Sequence, residues 1–123
     1  MEPRLILVVD ADSAVRQTLI DVLSLEGYEV DGAGDAESAL LILDQRRYDL
    51  VIADLRIPGL DGPRLLAALA ERFGEGIPPV VFLTSQTFDP HYGGFLADLR
   101  APVLMKPLKP GRVLELVGQV LQP

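Results

Sequence analysis

Leu50-Val51-Ile52-Ala53-Asp54-Leu55-Arg56-Ile57-Pro58-Gly59-Leu60-Asp61-Gly62 is the stretch on which the reading of the chain turns. Four aliphatic residues in succession run into an acid. A strand buried on both faces reads that way, and such strands belong to parallel sheets covered by helices. Pro58 and Gly59 then break the run. Asp61 can cap a helix over 63–73, with Pro63 in its first turn and Gly74 past its end. Strand, acid, turn and helix thus follow one another within a single unit.

The same unit recurs on either side. Leu5–Val9, 80–83 and Val103–Met105 are short aliphatic runs, each ending in a polar residue. Residues 28–31 alternate apolar and polar, which suits a half-exposed edge strand. Helical spacing fills the gaps at 13–26, which Gly27 stops, at 36–46 behind Asp35, and at 111–121 after Pro110. The weakest helix is 88–100, where Pro90 and Gly93-Gly94 interrupt the pattern. Strand and helix alternate five times with short joints. That pattern predicts a doubly wound five-stranded parallel α/β sheet with right-handed crossovers. The length, 123 residues, suits one domain over 1–123.

Composition narrows the function. The 18 acidic and 11 basic side chains leave a formal charge of -7, which argues against direct nucleic-acid binding. The absence of Cys removes thiolate metal sites and thiol nucleophiles, and the single His91 makes a His-rich metal site impossible. His91 falls in a loop, where an inert role is the better reading. The run Leu5–Val9 is too short for a signal peptide or a membrane span. The expectation is a soluble, cytoplasmic chain with no membrane contact.

In an open sheet of this kind, ligands bind beyond the carboxyl ends of the strands. Asp10 ends the first strand and Asp12 comes soon after it, Asp54 ends the third, Thr84-Ser85 the fourth and Lys106 the fifth. Each has a plain alternative: a cap, a turn or a solvated cation. Lys106 stands out because the chain has only two Lys beside nine Arg. Clustered carboxylates repel unless a cation joins them. An all-oxygen set suits Mg²⁺ together with phosphate oxygens and water. A hydroxyl and an ammonium are the donors a phosphoryl group needs, and a carboxylate could accept that group as an acyl phosphate.

Val8-Val9-Asp10-Ala11-Asp12, Asp54 through Asp61-Gly62, Phe82-Leu83-Thr84-Ser85 and Lys106-Pro107 together resemble the receiver domain of two-component response regulators. The resemblance covers essentially the whole chain. It implies a flavodoxin-like fold with strand order 2-1-3-4-5. It implies phosphorelay signalling in which Asp54 accepts a phosphoryl group from a histidine kinase or phosphotransfer protein. It also implies that Thr84 and Lys106 contact that group. Mg²⁺ would be held by Asp10, Asp54 and the backbone carbonyl of Arg56. Lys106-Pro107 resembles the family's cis-proline joint, and Ser85 the small residue that leaves the phosphoryl group accessible. Arg56 and Gln86 occupy positions that tune hydrolysis of the aspartyl phosphate. Such a domain is a signalling switch with self-catalysed phosphoryl chemistry rather than an enzyme. Its output goes to a partner protein or domain, and homodimers are common among its relatives.

Two positions depart from the family. The second of its paired acids is Ala11 here, so Mg²⁺ should bind weakly. Asp12 reads first as a helix cap, with a water-mediated metal contact as the alternative. The aromatic that the family places three residues before the Lys is Val103 here, which puts the usual switch in doubt. The aromatics Phe88, Tyr92 and Phe95 lie at the fourth helix, where core or loop packing is the expected role. These departures support a second reading, a pseudo-receiver used unphosphorylated as a protein-binding module. A third reading rests on Asp10-Ala11-Asp12, which resembles the nucleophile motif of haloacid-dehalogenase-type phosphatases. That family needs a further acidic pair after its Lys, and Glu115 is the only acid beyond Lys106.

Overall fold

The computed structural model describes residues 2–85, 92–99 and 102–122. Five parallel strands form its sheet: β1 (Leu5–Val9), β2 (Glu29–Ala33), β3 (Leu50–Asp54), β4 (Val80–Thr84) and β5 (Val103–Met105), in the order β2-β1-β3-β4-β5. The helices are α1 (Ser13–Leu25), α2 (Ala36–Gln45), α3 (Gly62–Phe73), α4 (Gly93–Leu99) and α5 (Pro110–Val120). The doubly wound flavodoxin-like architecture is as expected.

The continuous aliphatic runs are explained by two cores, one on each face of the sheet. Leu7, Val9, Val51, Ala53 and Phe82 face Leu43, Leu65 and Leu69 of α2 and α3. The alternate residues Ile6, Val8, Ile52, Val81 and Leu83 face Leu19 and Leu23 of α1 and Val113 and Val117 of α5. Each fully buried aliphatic side chain contributes about 1.5–3 kcal/mol relative to exposure. A strand with both faces buried therefore has no slack in register, because a slip of one residue would exchange the two cores.

Observed element ends differ from the expected ones by one or two residues. β3 and β4 end at Asp54 and Thr84 as expected, with Asp54 paired to Leu83, whereas β1 and β5 stop one residue short of Asp10 and Lys106. The edge strand β2 lies at Glu29–Ala33 rather than 28–31. Pro110 is inside α5 rather than before it. In α4, Gly93-Gly94 opens the helix instead of interrupting it. Gln86, Phe88 and His91 lie outside the described residues. Between β3 and α3 the backbone folds on itself, and Arg56–Ile57 pairs antiparallel with Leu60–Asp61 around Gly59 at φ +85°.

Gly62 follows this ladder. A Cβ there would lie 2.7 Å from Leu55 Cδ1 and 3.1 Å from both Phe82 Cε1 and Phe95 Cε2. Only a bare backbone lets the start of α3, the sheet and α4 meet so closely. Phe95 completes the junction edge-on to Phe82, with ring centroids 5.6 Å apart.

At the β2 edge, Arg46 reaches from the end of α2 to Asp31 Oδ2 at 3.0 Å and Glu29 Oε1 at 3.2 Å. The Tyr48 hydroxyl donates to the same Asp31 oxygen. Burial, and then this hydrogen bond, push the Tyr48 phenol well above its ordinary range. No helix among the described residues is long and apolar enough to cross a membrane.

Candidate functional site

Parallel pairing brings the carboxyl ends of β1, β3, β4 and β5 to one edge. Asp10 N donates to Ala33 O at 3.1 Å, Leu55 N to Leu83 O at 2.9 Å and Lys106 N to Thr84 O at 2.8 Å. These backbone bonds fix where the polar side chains begin. Within the β3–α3 connection, Leu55 and Ile57 are buried while Arg56 between them is exposed. The alternation of extended backbone thus turns the core residues one way and leaves Arg56 at the open edge.

Lys106 Nζ lies 2.6 Å from Asp54 Oδ2 and 2.8 Å from Asp10 Oδ2, so one ammonium joins both acids. Asp10 is 1% exposed and is the one buried charged residue among the described residues. Its Oδ1 accepts the amide of Asp12 at 2.9 Å. Its Oδ2 is close enough to Lys106 for an ion pair but lies off the line of a directed hydrogen bond. The 2.8 Å separation makes the ion pair the physically meaningful contact, since Coulomb attraction needs no alignment. Burial would lower the pKa of Lys106. The contacts with Asp10 and Asp54 outweigh it and hold the ammonium above the ordinary lysine value. Asp54 is the more open acid, and its Oδ1 accepts the Arg56 amide at 3.1 Å. Lys106-Pro107 is a cis peptide, as the resemblance implied.

Asp10, Asp54 and Lys106 therefore meet, and Arg56 is tied to them through its backbone. Thr84 ends β4 on the same edge, and its hydroxyl makes a long 3.5 Å contact to the Ser85 carbonyl. Asp12 turns away. Its Oδ1 accepts the amides of Ala14 at 2.9 Å and Val15 at 3.4 Å, capping α1. Asp12→Ala should then lower stability by about 1 kcal/mol in thermal or chemical unfolding. Mg²⁺ affinity measured by titration should stay essentially unchanged, and a parallel loss would return Asp12 to the metal site.

Several contacts have no counterpart in the sequence reading. Arg16 Nη1 donates to the Asp10 carbonyl at 2.7 Å and lies 3.5 Å from the Ala11 carbonyl. A Cβ on Gly34 would come within 3.0 Å of the same Nη1, so this glycine makes room for the guanidinium. Tyr92 is buried, and the Arg56 guanidinium sits over its ring with Cζ 5.3 Å from the centroid. The Tyr92 hydroxyl donates to Asp61 Oδ2 at 3.3 Å, while Asp61 Oδ1 caps α3 through the Arg64 amide. The Asp61 cap was readable from its place before Pro63. Its use of the second oxygen on Tyr92 was not.

The donor set fits a hard cation in part. Two carboxylates and a carbonyl, completed by water, are ligands that Mg²⁺ accepts. Asp10 Oδ2, buried without an aligned donor, has a lone pair to offer. No group of three or more acidic or His side chains among the described residues could hold a metal alone. Position 11, where the resemblance implies a further acid, is Ala here.

Comparison with known proteins agrees with this fold. The family model for the response regulator receiver domain matches residues 6–118. The response regulator protein FleR of Pseudomonas aeruginosa is 32% identical over 114 residues, which cover 93% of this chain and 24% of FleR. The DNA-binding response regulator MtrA of Mycobacterium tuberculosis is 36% identical over 115 residues, covering 94% of this chain and 48% of MtrA. The chain thus spans about a quarter of the length of FleR and about half that of MtrA. Among solved structures, the chemotaxis response regulator CheY4 of Vibrio cholerae superposes with a TM-score of 0.84 at 27% identity, covering 97% of this chain and 99% of that one.

Proposed function

This chain belongs to the response regulator receiver domain family, and on that premise we propose that it is a phosphorylatable switch whose phosphoacceptor is Asp54. The observation that carries this reading is the bridge of Lys106 between the buried Asp10 and the more open Asp54. An acceptor must be reachable, and Asp54 is the acid on the solvent side. Its nucleophilic oxygen must also be held in place. Lys106 Nζ on Oδ2 and the Arg56 amide on Oδ1 hold both oxygens.

In the transfer, a carboxylate oxygen of Asp54 forms a bond to phosphorus as the phosphorus–nitrogen bond of a phosphohistidine breaks. The imidazole leaves with the electron pair. The product is an acyl phosphate. Lys106 follows the charge from the carboxylate to a phosphoryl oxygen, where an ammonium is a strong donor. The Thr84 hydroxyl, with only a weak internal partner, supplies a second donor. Asp10, Asp54 and the Arg56 carbonyl would hold Mg²⁺, which when bound offsets the negative charge of the incoming group. The donor is a histidine kinase or phosphotransfer protein, and the output is a partner protein or domain.

The test is incubation with acetyl phosphate and Mg²⁺, read by intact mass. Wild type should gain a phosphoryl adduct, and Asp54→Asn should gain none. Ala11 and Val103 support the pseudo-receiver reading, and wild type that stays unmodified at high Mg²⁺ would favour it.

A further inference from the structure

Where β2 leaves the sheet, a charged side chain takes its place. The paired register of β1 with β2 ends at Val9 and Ala33. One residue on, the Asp10 carbonyl accepts from Arg16 Nη1 at 2.7 Å. The sequence leaves a track for this side chain. A Cβ on Gly32 would lie 3.6 Å from Arg16 Cδ, and one on Gly34 only 3.0 Å from Nη1. Arg16 thus runs past two bare glycines to the backbone of the residue whose carboxylate pairs with Lys106.

The hydrogen-bond partners of this guanidinium are the neutral carbonyls of Asp10 and Ala11. No carboxylate among the described residues forms an ion pair with it. Three bonds separate the Asp10 carbonyl carbon from its carboxyl carbon, so the guanidinium lies within about 7 Å of that carboxylate. That separation is inside the Debye length of ordinary buffers, and the charge is felt in the pocket. Two carboxylates, Asp10 and Asp54, therefore face two cations, Lys106 and Arg16. At the rim, Asp12 and Arg56 add one charge of each sign. The site is formally neutral, and an acid at position 11 would have made it negative.

We infer that Arg16 is a resident counter-cation of the pocket, which weakens Mg²⁺ binding and lowers the need for Mg²⁺ when Asp54 takes up a phosphoryl group. The second half rests on the phosphoacceptor reading of Asp54; the first needs only the pocket. A dication is drawn by net negative charge, so a neutral pocket holds it weakly. An anionic phosphoryl donor meets the opposite situation, because a neutral pocket does not repel it. Ala11 withholds an acid and Arg16 supplies a cation, and both act in the same direction.

The experiment is an Mg²⁺ titration followed by NMR on wild type, Arg16→Met, Arg16→Gln and Arg16→Lys. Met keeps the apolar stem, Gln keeps a donor, and Lys keeps the charge. Both neutral variants should bind Mg²⁺ about fivefold more tightly, with the difference shrinking at high salt, and Arg16→Lys should bind as wild type does. Acetyl phosphate with Mg²⁺ or with a chelator, read by intact mass, supplies the second arm. The ratio of adduct formed with and without Mg²⁺ should rise in the neutral variants and stay at the wild-type value in Arg16→Lys. Neutral variants that bind Mg²⁺ no more tightly than wild type, or an Arg16→Lys chain that binds as they do, overturn the counter-cation and leave Asp54 as the acceptor. A ratio that is the same in all four chains overturns the second half alone. Absence of the adduct in wild type at high Mg²⁺ overturns the phosphoacceptor reading and that second half with it, while the titration still decides the first.

Discussion

Lys106→Met should destabilise the fold by about 2–3 kcal/mol at neutral pH, although it removes one charge and little volume. The loss comes from what stays behind. Asp10 remains buried, keeps the Asp12 amide on Oδ1, and has its Oδ2 beside Asp54 with no cation between them. Desolvation of the carboxylate is then uncompensated, and the two acids repel. The Lys106 side chain is 23% exposed, so water reaches one side and keeps the cost from rising further. Adding Asp10→Asn should recover most of the loss, because removing both partners costs far less than orphaning one. Mg²⁺ should also restore part of it, since an ion that binds only the folded site stabilises by mass action. Denaturant titrations with and without Mg²⁺ measure all three. Unchanged stability in Lys106→Met would mean that the ammonium contributes nothing net to the folded state.

Ala11→Asp should tighten Mg²⁺ by about tenfold or more, equivalent to at least about 1.4 kcal/mol. Position 11 is exposed and adjoins Asp10, so a new carboxylate there meets little desolvation and adds full charge to the site. The competitor is Arg16, whose Nη1 already lies on the Asp10 and Ala11 carbonyls. A guanidinium so placed can pair with the added acid and cancel its effect on the metal. Calorimetric or NMR titration of Ala11→Asp, alone and with Arg16→Ala, separates the two. Affinity unchanged in both backgrounds would mean that the third carboxylate is not what limits metal binding here.

The parts of the site that could be read from sequence are those whose position follows from ending a strand. Asp54 and Lys106 close aliphatic runs, Asp10 follows one, and parallel order alone brings such ends together. Asp12 and Asp61 were legible as caps because an Asp before a helix bonds local amides whatever the tertiary context. The rest depends on distance along the chain. The contact of Arg56 with Tyr92 requires α4 to be set against the β3–α3 connection, and no local pattern carries that placement. Arg16 reads as one exposed position on an amphipathic helix until Gly34 is seen to leave room for it. Element ends shifted by a residue or two because backbone pairing, not side-chain polarity, decides where a strand stops. Hence β1 and β5 stop at Val9 and Met105, one residue before the polar Asp10 and Lys106.

The clamp on β2 bears on how this sheet meets other molecules. An edge strand presents unpaired amides and carbonyls that invite a foreign strand to dock. Here Arg46 lies against Glu29 and Asp31, and Tyr48 is tied to the same Asp31. An incoming strand would have to displace two ion pairs and a buried phenol's hydrogen bond. The opposite edge, β5, is three residues long and offers too short a ladder to hold one. Both borders resist extension, one by charge and one by brevity. Recognition by strand addition is therefore disfavoured, and the helices and the loops at the carboxyl edge remain as the surfaces through which a signal can leave.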